Sequence, residues 1–169
     1  LLTPATPMLF QGQEYASTRP FLYFADHTAE LAALVHNGRR DAMRLFRSQA
    51  GPEGMALVPD PADPATFERC KLDRAERDAR PEWVALHTDL LALRRTDPAF
   101  VSSDLDGAVL GPSAFVLRFF SGDGGDRLLI VNLGRDLHLN PAPEPLLAPP
   151  AVGTHWHVLW SSEHPKYGG

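Results

Sequence analysis

The sequence predicts two parts of different class, an α/β part up to about residue 97 and an all-β part from about residue 98. Three observations carry this. A short apolar run, Met8, Leu9 and Phe10, lies between Pro7 and the turn-forming Gly12, which is the pattern of a buried strand. Apolar residues then recur at helical spacing, most clearly from Pro81 to Arg95. After residue 98 the runs become short and are punctuated by Gly, Pro and Asp, as in consecutive strands.

Taken in order, Leu1 and Leu2 read as the end of a helix that Pro4 and Pro7 prevent from continuing. Residues 8–11 are the strand. Gly12 allows a sharp turn, and Gln13, Glu14 and Tyr15 follow at once. In α/β folds the space just past the C-terminal end of a strand is where ligands are held. An irregular aromatic-rich stretch, YASTRPFLYFADHT, leads to Thr28. Residues 28–46 read as helical, with Thr28 as N-cap and Leu31, Leu34 and Val35 on one face; Asn37-Gly38 divides the segment into two short helices. Residues 48–64, rich in Pro, Gly and Asp, are a loop anchored by Met55, Leu57 and Val58. Asp63 and Pro64 start a short helix, and Asp60 and Asp73 are loop and cap residues. The strongest helix covers residues 81–95, with Trp83, Leu86, Leu90 and Leu93 on its apolar face, arginines in its last turn and Pro98 beyond it.

Five runs in the second part read as strands: GAVLG, AFVLRFF, RLLIVNLG, DLHLN and THWHVLWSS. SGDGGD is a hairpin connection and PAPEPLLAPP a proline-rich surface loop. Five strands without a helix predict an antiparallel sandwich or a sheet packed on its neighbour. A lone strand at residues 8–11 cannot satisfy its own backbone, so its sheet needs strands supplied from upstream. The sequence starts without Met in what reads as the tail of a helix and stops at YGG in what reads as a loop. The expectation is a piece of a longer protein, cut at both ends.

Composition narrows the partners. The formal net charge is -5 and no basic stripe occurs, which argues against nucleic acid and against an anionic membrane surface. No apolar run approaches the length of a membrane span. The single cysteine, Cys70, has no partner for a disulfide, reads as a small packed side chain and fits a reducing cytoplasm. His155 and His157 alternate around Trp156 with no third ligand nearby, too little for a metal site.

The stretch TPMLFQGQEYASTRPFLYFADH resembles the last strand and following loop of the α-amylase superfamily barrel. GRRDAMRLF, VPDPADPATFERCKLDRAE, WVALHTDLLALRR and HWHVLWSS followed by PKYGG, in that order, narrow the resemblance to the malto-oligosyltrehalose trehalohydrolase family. Cys70, where Ser is expected, and Arg74, often Trp, depart mildly from its pattern. The resemblance implies that residues 1–97 are the C-terminal end of a (β/α)8 TIM barrel, namely its eighth strand, a substrate loop and closing helices. Residues 98–169 are then an incomplete antiparallel β-sandwich. It further implies a cytoplasmic retaining glycoside hydrolase that releases trehalose from maltooligosyl trehalose, with no cofactor. Its partners would be the malto-oligosaccharide substrate and the upstream part of the same barrel. The catalytic carboxylates of that family lie on earlier strands, so none is assigned here.

What the resemblance leaves to this segment is a wall of the substrate cleft. The candidate substrate-binding residues are Gln13, Glu14, Tyr15, Phe24, Asp26 and His27. Carboxylates and amides suit sugar hydroxyl pairs, and aromatic faces suit sugar rings. Each has a structural alternative: Glu14 as an acceptor in the barrel wall, Tyr15 and the Phe21, Tyr23 and Phe24 group as core, Asp26 as a helix cap, and His27 as a packed or solvated imidazole. The competing functions are a glycogen branching or debranching enzyme of the same superfamily, and a non-catalytic glucan-binding β module built on Trp156 and Trp160.

Overall fold

The computed structural model describes residues 1–47, 50–101, 104–122, 125–139 and 141–169. Parts of the loop at residues 48–64, of the SGDGGD connection and of the DLHLN run therefore lie outside the described residues. The chain forms two compact units, one of residues 1–10 with 81–169 and the other of residues 11–80.

The first unit is built on helix α5, Pro81–Thr96, and a three-stranded antiparallel sheet. The strands are β1, Leu105–Gly111, β2, Ala114–Phe119, and β3, Arg127–Asn132, in the order β1-β2-β3. Phe119 of β2 pairs with Leu105 on one side and Arg127 on the other. β2 is the central strand, so its backbone is satisfied on both edges, and Val116 and Phe119 are fully buried. Phe119 meets Phe100 edge to face at 4.9 Å, Leu2 and Ala99 complete the buried cluster, and Leu90 and Leu93 of α5 pack on it. The α5 face expected from the sequence is thus the face in use, although Trp83 at its start is exposed.

Two arginines organise the polar part of this unit. Arg118 is buried and donates through Nε and Nη2 to Asp126 Oδ2 at 2.9 and 2.7 Å. Its Nη1 donates to the carbonyls of Leu146 and Ala148, so it ties down the proline-rich segment. That segment is a surface loop, as expected, anchored through the 3-10 turn Pro145–Leu147, whose Leu146 and Leu147 are half-buried. Arg127 donates to Asp97 Oδ2 at 2.7 Å and joins the start of β3 to the end of α5. Asp97 also caps the short turn Pro98–Phe100.

Three expectations for this unit are corrected. Only three of the five proposed strands form; residues 136–139 and 154–162 take neither strand nor helix, so no second sheet of a sandwich is present among the described residues. A strand exists only where a neighbour accepts its ladder, and within the described residues neither segment pairs with one. The run at residues 8–11 is not a strand either, for the same reason. Met8 is 91%, Leu9 39% and Phe10 51% exposed, so an apolar run stands uncovered. Leu1 and Leu2 are not helical; Arg94 holds them by donating to the Leu1 carbonyl at 2.7 Å and the Ala5 carbonyl at 2.8 Å.

The second unit contains α1, Ala29–Met43, α2, Pro52–Ala56, α3, Pro64–Cys70, and α4, Arg74–Asp78. Asp63 and Asp73 cap α3 and α4, each accepting from the backbone two residues on at 2.8 and 2.9 Å, as the sequence predicts. Two readings change. α1 runs unbroken through Asn37-Gly38, because one Gly costs a helix only about 1 kcal/mol and Gly38 takes no positive φ. The loop at residues 48–64 holds the short helix α2, and of its expected anchors Met55 and Val58 are half-buried while Leu57 is exposed. Thr28 stands at the N-cap of α1 but its hydroxyl makes no capping bond.

Two substitutions test the first unit. Phe119→Ala leaves a cavity against Phe100 and is expected to cost about 3–5 kcal/mol in urea unfolding. Arg118→Leu leaves Asp126 buried without its cation and is expected to cost a similar ~3–5 kcal/mol. Replacing Arg118 and Asp126 together by apolar residues should recover part of that loss.

Candidate functional site

The predicted site begins at a forced turn. Gly12 has φ +81°, and a Cβ there would sit 2.7 Å from the Ser17 Cβ and 2.9 Å from Leu72 Cδ2. Only glycine fits both the angle and the space. The chain then closes a 3-10 turn, Gln13–Tyr15, and leaves it through Ala16 at φ 51°, a left-handed conformation uncommon for alanine. The Ser17 N–H bonds back to the Gly12 carbonyl at 2.9 Å, so residues 12–17 form a closed loop.

A carboxylate from α4 holds this loop. Glu76 accepts from Ser17 Oγ at 2.8 Å, from the Thr18 N–H at 3.1 Å and from the Thr18 hydroxyl. Arg80 donates to the Ala16 carbonyl, and Arg19 lies 3.7 Å from Asp73. Donation by the Thr18 hydroxyl and then by the Ser17 hydroxyl holds the Glu76 carboxyl below its ordinary pKa.

The aromatic segment is fixed to α3. The buried Cys70 Sγ accepts from the Leu22 N–H at 3.2 Å and donates to the Thr66 carbonyl at 3.1 Å, and Thr66 donates to the Asp60 carbonyl at 2.7 Å. The Ala25 N–H bonds to the Pro61 carbonyl at 3.0 Å. Phe24 meets Phe67 edge to face at 4.9 Å and Phe21 at 6.5 Å. Arg39 of α1 lies over the Tyr23 ring at 4.5 Å. His36 Nδ1 stands 3.6 Å from Asp60, and both His36 Nδ1 and Arg39 Nε are buried without a hydrogen-bond partner among the described residues.

The six candidate residues divide into two groups along the chain. Gln13, Glu14 and Tyr15 share the 3-10 turn; Gln13 is exposed, Glu14 half-buried, and Tyr15 only 4% exposed. Phe24 belongs to the aromatic group and keeps part of its surface open, while Asp26 is exposed and His27 half-buried. Asp26 is not the cap of α1, a position taken by Thr28. Among the described residues no hydrogen bond or ion pair occupies Glu14, Asp26 or His27, so their hydrogen-bonding capacity is unspent. Tyr15 presents little ring area for stacking. Sequence reading missed Glu76, Arg80 and Arg39, which organise the two groups. Glu76 acts on residues 58 and 59 positions away, and no local pattern announces such a contact.

Residues 102–169 match a family described as a domain of unknown function, DUF3459. A crystal structure of a Salmonella typhimurium protein assigned as an α-amylase aligns with a TM-score of 0.62 and 28% identity, over 74% of this chain and 21% of that one. The chain thus resembles part of an α-amylase-superfamily protein. More narrowly, it is 40% identical over 139 residues to malto-oligosyltrehalose trehalohydrolase of Deinococcus radiodurans, covering 80% of this chain and 22% of that protein. The enzyme of the same name from Arthrobacter ramosus is 43% identical over 58% of this chain and 17% of its own length. The chain is a homologue of the malto-oligosyltrehalose trehalohydrolases, as its motifs indicate, and spans about a fifth of the length of these curated relatives.

Two outcomes follow. Gly12→Ala should destabilise the second unit by more than the ~1 kcal/mol that a strain-free Gly→Ala change gains, and should shift the amide resonances of residues 13–18. Because the Glu76 pKa is lowered in the folded state, its stabilisation is present above the unfolded-state pKa and is lost as pH falls through the folded one. Glu76→Gln should therefore flatten the acid limb of the pH–stability curve, measured by thermal unfolding across that range.

Proposed function

We propose that this chain is the segment of a trehalose-releasing glycoside hydrolase that closes a (β/α)8 barrel and begins its C-terminal β domain. On this reading residues 1–97 contribute the eighth strand, the loop beyond it and the closing helices, and residues 98–169 begin the β domain. The observation that carries the reading is the uncovered run at residues 8–10, followed directly by a closed turn that bears Gln13 and Glu14. Apolar side chains exposed to this degree fit a strand whose flanking strands belong to the rest of a barrel. The similarity to named trehalohydrolases supports the same assignment.

The whole enzyme would cleave the α-1,4 bond next to the terminal trehalose of maltooligosyl trehalose by the retaining two-carboxylate route. The nucleophile and acid–base carboxylates would come from other strands. This segment would hold substrate: Gln13, Glu14, Asp26 and His27 to sugar hydroxyls, with Phe24 offering a ring edge or face and Tyr15 packed behind the turn. A cytoplasmic location belongs to the same proposal. A second reading is a related α-amylase-superfamily glucan enzyme such as a branching or debranching enzyme; the likeness to the Salmonella protein supports the superfamily that both readings share.

Product analysis separates the two. The full-length protein containing this segment, given maltooligosyl trehalose, is expected to release free trehalose in a chromatographic assay. Formation of branched glucan from amylose, or debranching of glycogen without trehalose release, would replace the first reading with the second. The isolated 169-residue chain is expected to release no trehalose. In the full-length enzyme, Glu14→Gln should lower kcat/KM by roughly 10-fold, the loss of one charge-assisted hydrogen bond of ~1.5 kcal/mol.

A further inference from the structure

Residues 154–162 join no ladder among the described residues, and they line one cleft together with residues of β3. Between them is a cleft of about 750 Å³, lined on one side by Leu128, Leu129 and Ile130 and on the other by Trp156 and Trp160. Among the described residues, an indole hydrogen bond holds the segment near each end. At its near end Trp156 Nε1 donates to the Leu147 carbonyl at 2.9 Å, with the Arg118 guanidinium 5.4 Å from the ring. At its far end Trp160 Nε1 donates to the Tyr167 hydroxyl at 3.1 Å, and that hydroxyl donates to Asp89 Oδ2 of α5 at 2.6 Å. The same Asp89 oxygen accepts from Lys166 Nζ at 2.5 Å. Between the two attachments Val158 and Leu159 are 86% and 61% exposed.

We propose that residues 154–167 are a strap latched at its far end by Asp89, and that release of this latch lets the strap swing from β3 and opens the cleft. The direction of the hydrogen bonds gives Asp89 this role. The Trp160 indole can only donate, so the Tyr167 hydroxyl accepts from it and gives its own proton to Asp89. The Lys166 ammonium also only donates. A single carboxylate oxygen on α5 therefore terminates both chains. His164 Nδ1, accepting from the Lys166 N–H at 3.1 Å, keeps Lys166 and Tyr167 on one short turn so that both reach the same carboxylate. Donation from Lys166 and then from Tyr167 holds the Asp89 carboxyl below its ordinary pKa, which keeps it an acceptor. This inference is independent of the glycosidase reading.

Hydrogen exchange followed by NMR on the 169-residue chain tests it. In Asp89→Ala, the Trp160 indole N–H and the amides of Tyr167 and Gly168 should exchange at least about ten times faster, while β1–β3 amides keep their rates, as expected for local opening. Tyr167→Phe should reproduce the effect at the Trp160 indole, and Asp89→Asn, which retains an acceptor oxygen, should fall between Asp89→Ala and wild type. In a Trp83→Phe background, acrylamide quenching of Trp fluorescence should rise in Asp89→Ala as the cleft opens. Unchanged exchange at the Trp160 indole and residues 167–168 in both Asp89→Ala and Tyr167→Phe would overturn the latch. So would an equal acceleration across β1–β3, because the strap would then have no separate opening.

Discussion

The constraint on which this structure depends is that a backbone segment becomes a strand only when a neighbour takes its hydrogen bonds. β2 has neighbours on both edges, and it is where burial is deepest, at Val116 and Phe119. β1 and β3 each have one neighbour and stay half-covered. Residues 8–10 and 154–162 have the composition of strands but no partner in the described chain, and they hold apolar side chains in the open. The same constraint that builds the small sheet thus explains which strand-like sequences remain outside it.

Where ladders are missing, long polar side chains take over the work of attachment. Arg118 reaches from β2 to Asp126 and to the carbonyls of the proline-rich turn, and its guanidinium also faces the Phe120 and Trp156 rings. Arg94 gathers the carbonyls of the first residues onto α5, and Arg127 clamps Asp97. In the second unit Glu76 and Arg80 do the same for residues 16–18. Such contacts fix position well, yet exposed ones add little stability because water competes for the same groups. A buried one such as Arg118 with Asp126 is costly to break from either side.

For function, the arrangement keeps structural and available groups apart. Ser17, Thr18 and Glu76 are consumed in holding the loop, as are Cys70 and Thr66 in holding the aromatic segment. Glu14, Asp26 and His27 are left with their hydrogen-bonding capacity, on backbone whose shape is set by a glycine turn and by helix-borne anchors. Under the proposed assignment this suits a sugar site, where polar groups held still without being used up lower the ordering cost of binding.

The sequence by itself determined the local decisions: the glycine turn at Gly12, the Asp-capped starts of α3 and α4, the long helix α5 and the three strands with regular apolar runs. It also carried the family, through motifs in a fixed order. These are legible because they depend on φ, capping or periodicity within a few residues. Only the tertiary structure decided that residues 136–139 and 154–162 stay unpaired among the described residues, and that Glu76, Arg80 and Asp89 are anchors. Those outcomes depend on partners up to some 78 positions distant, whose approach is set by packing and has no signature in the spacing of nearby residues.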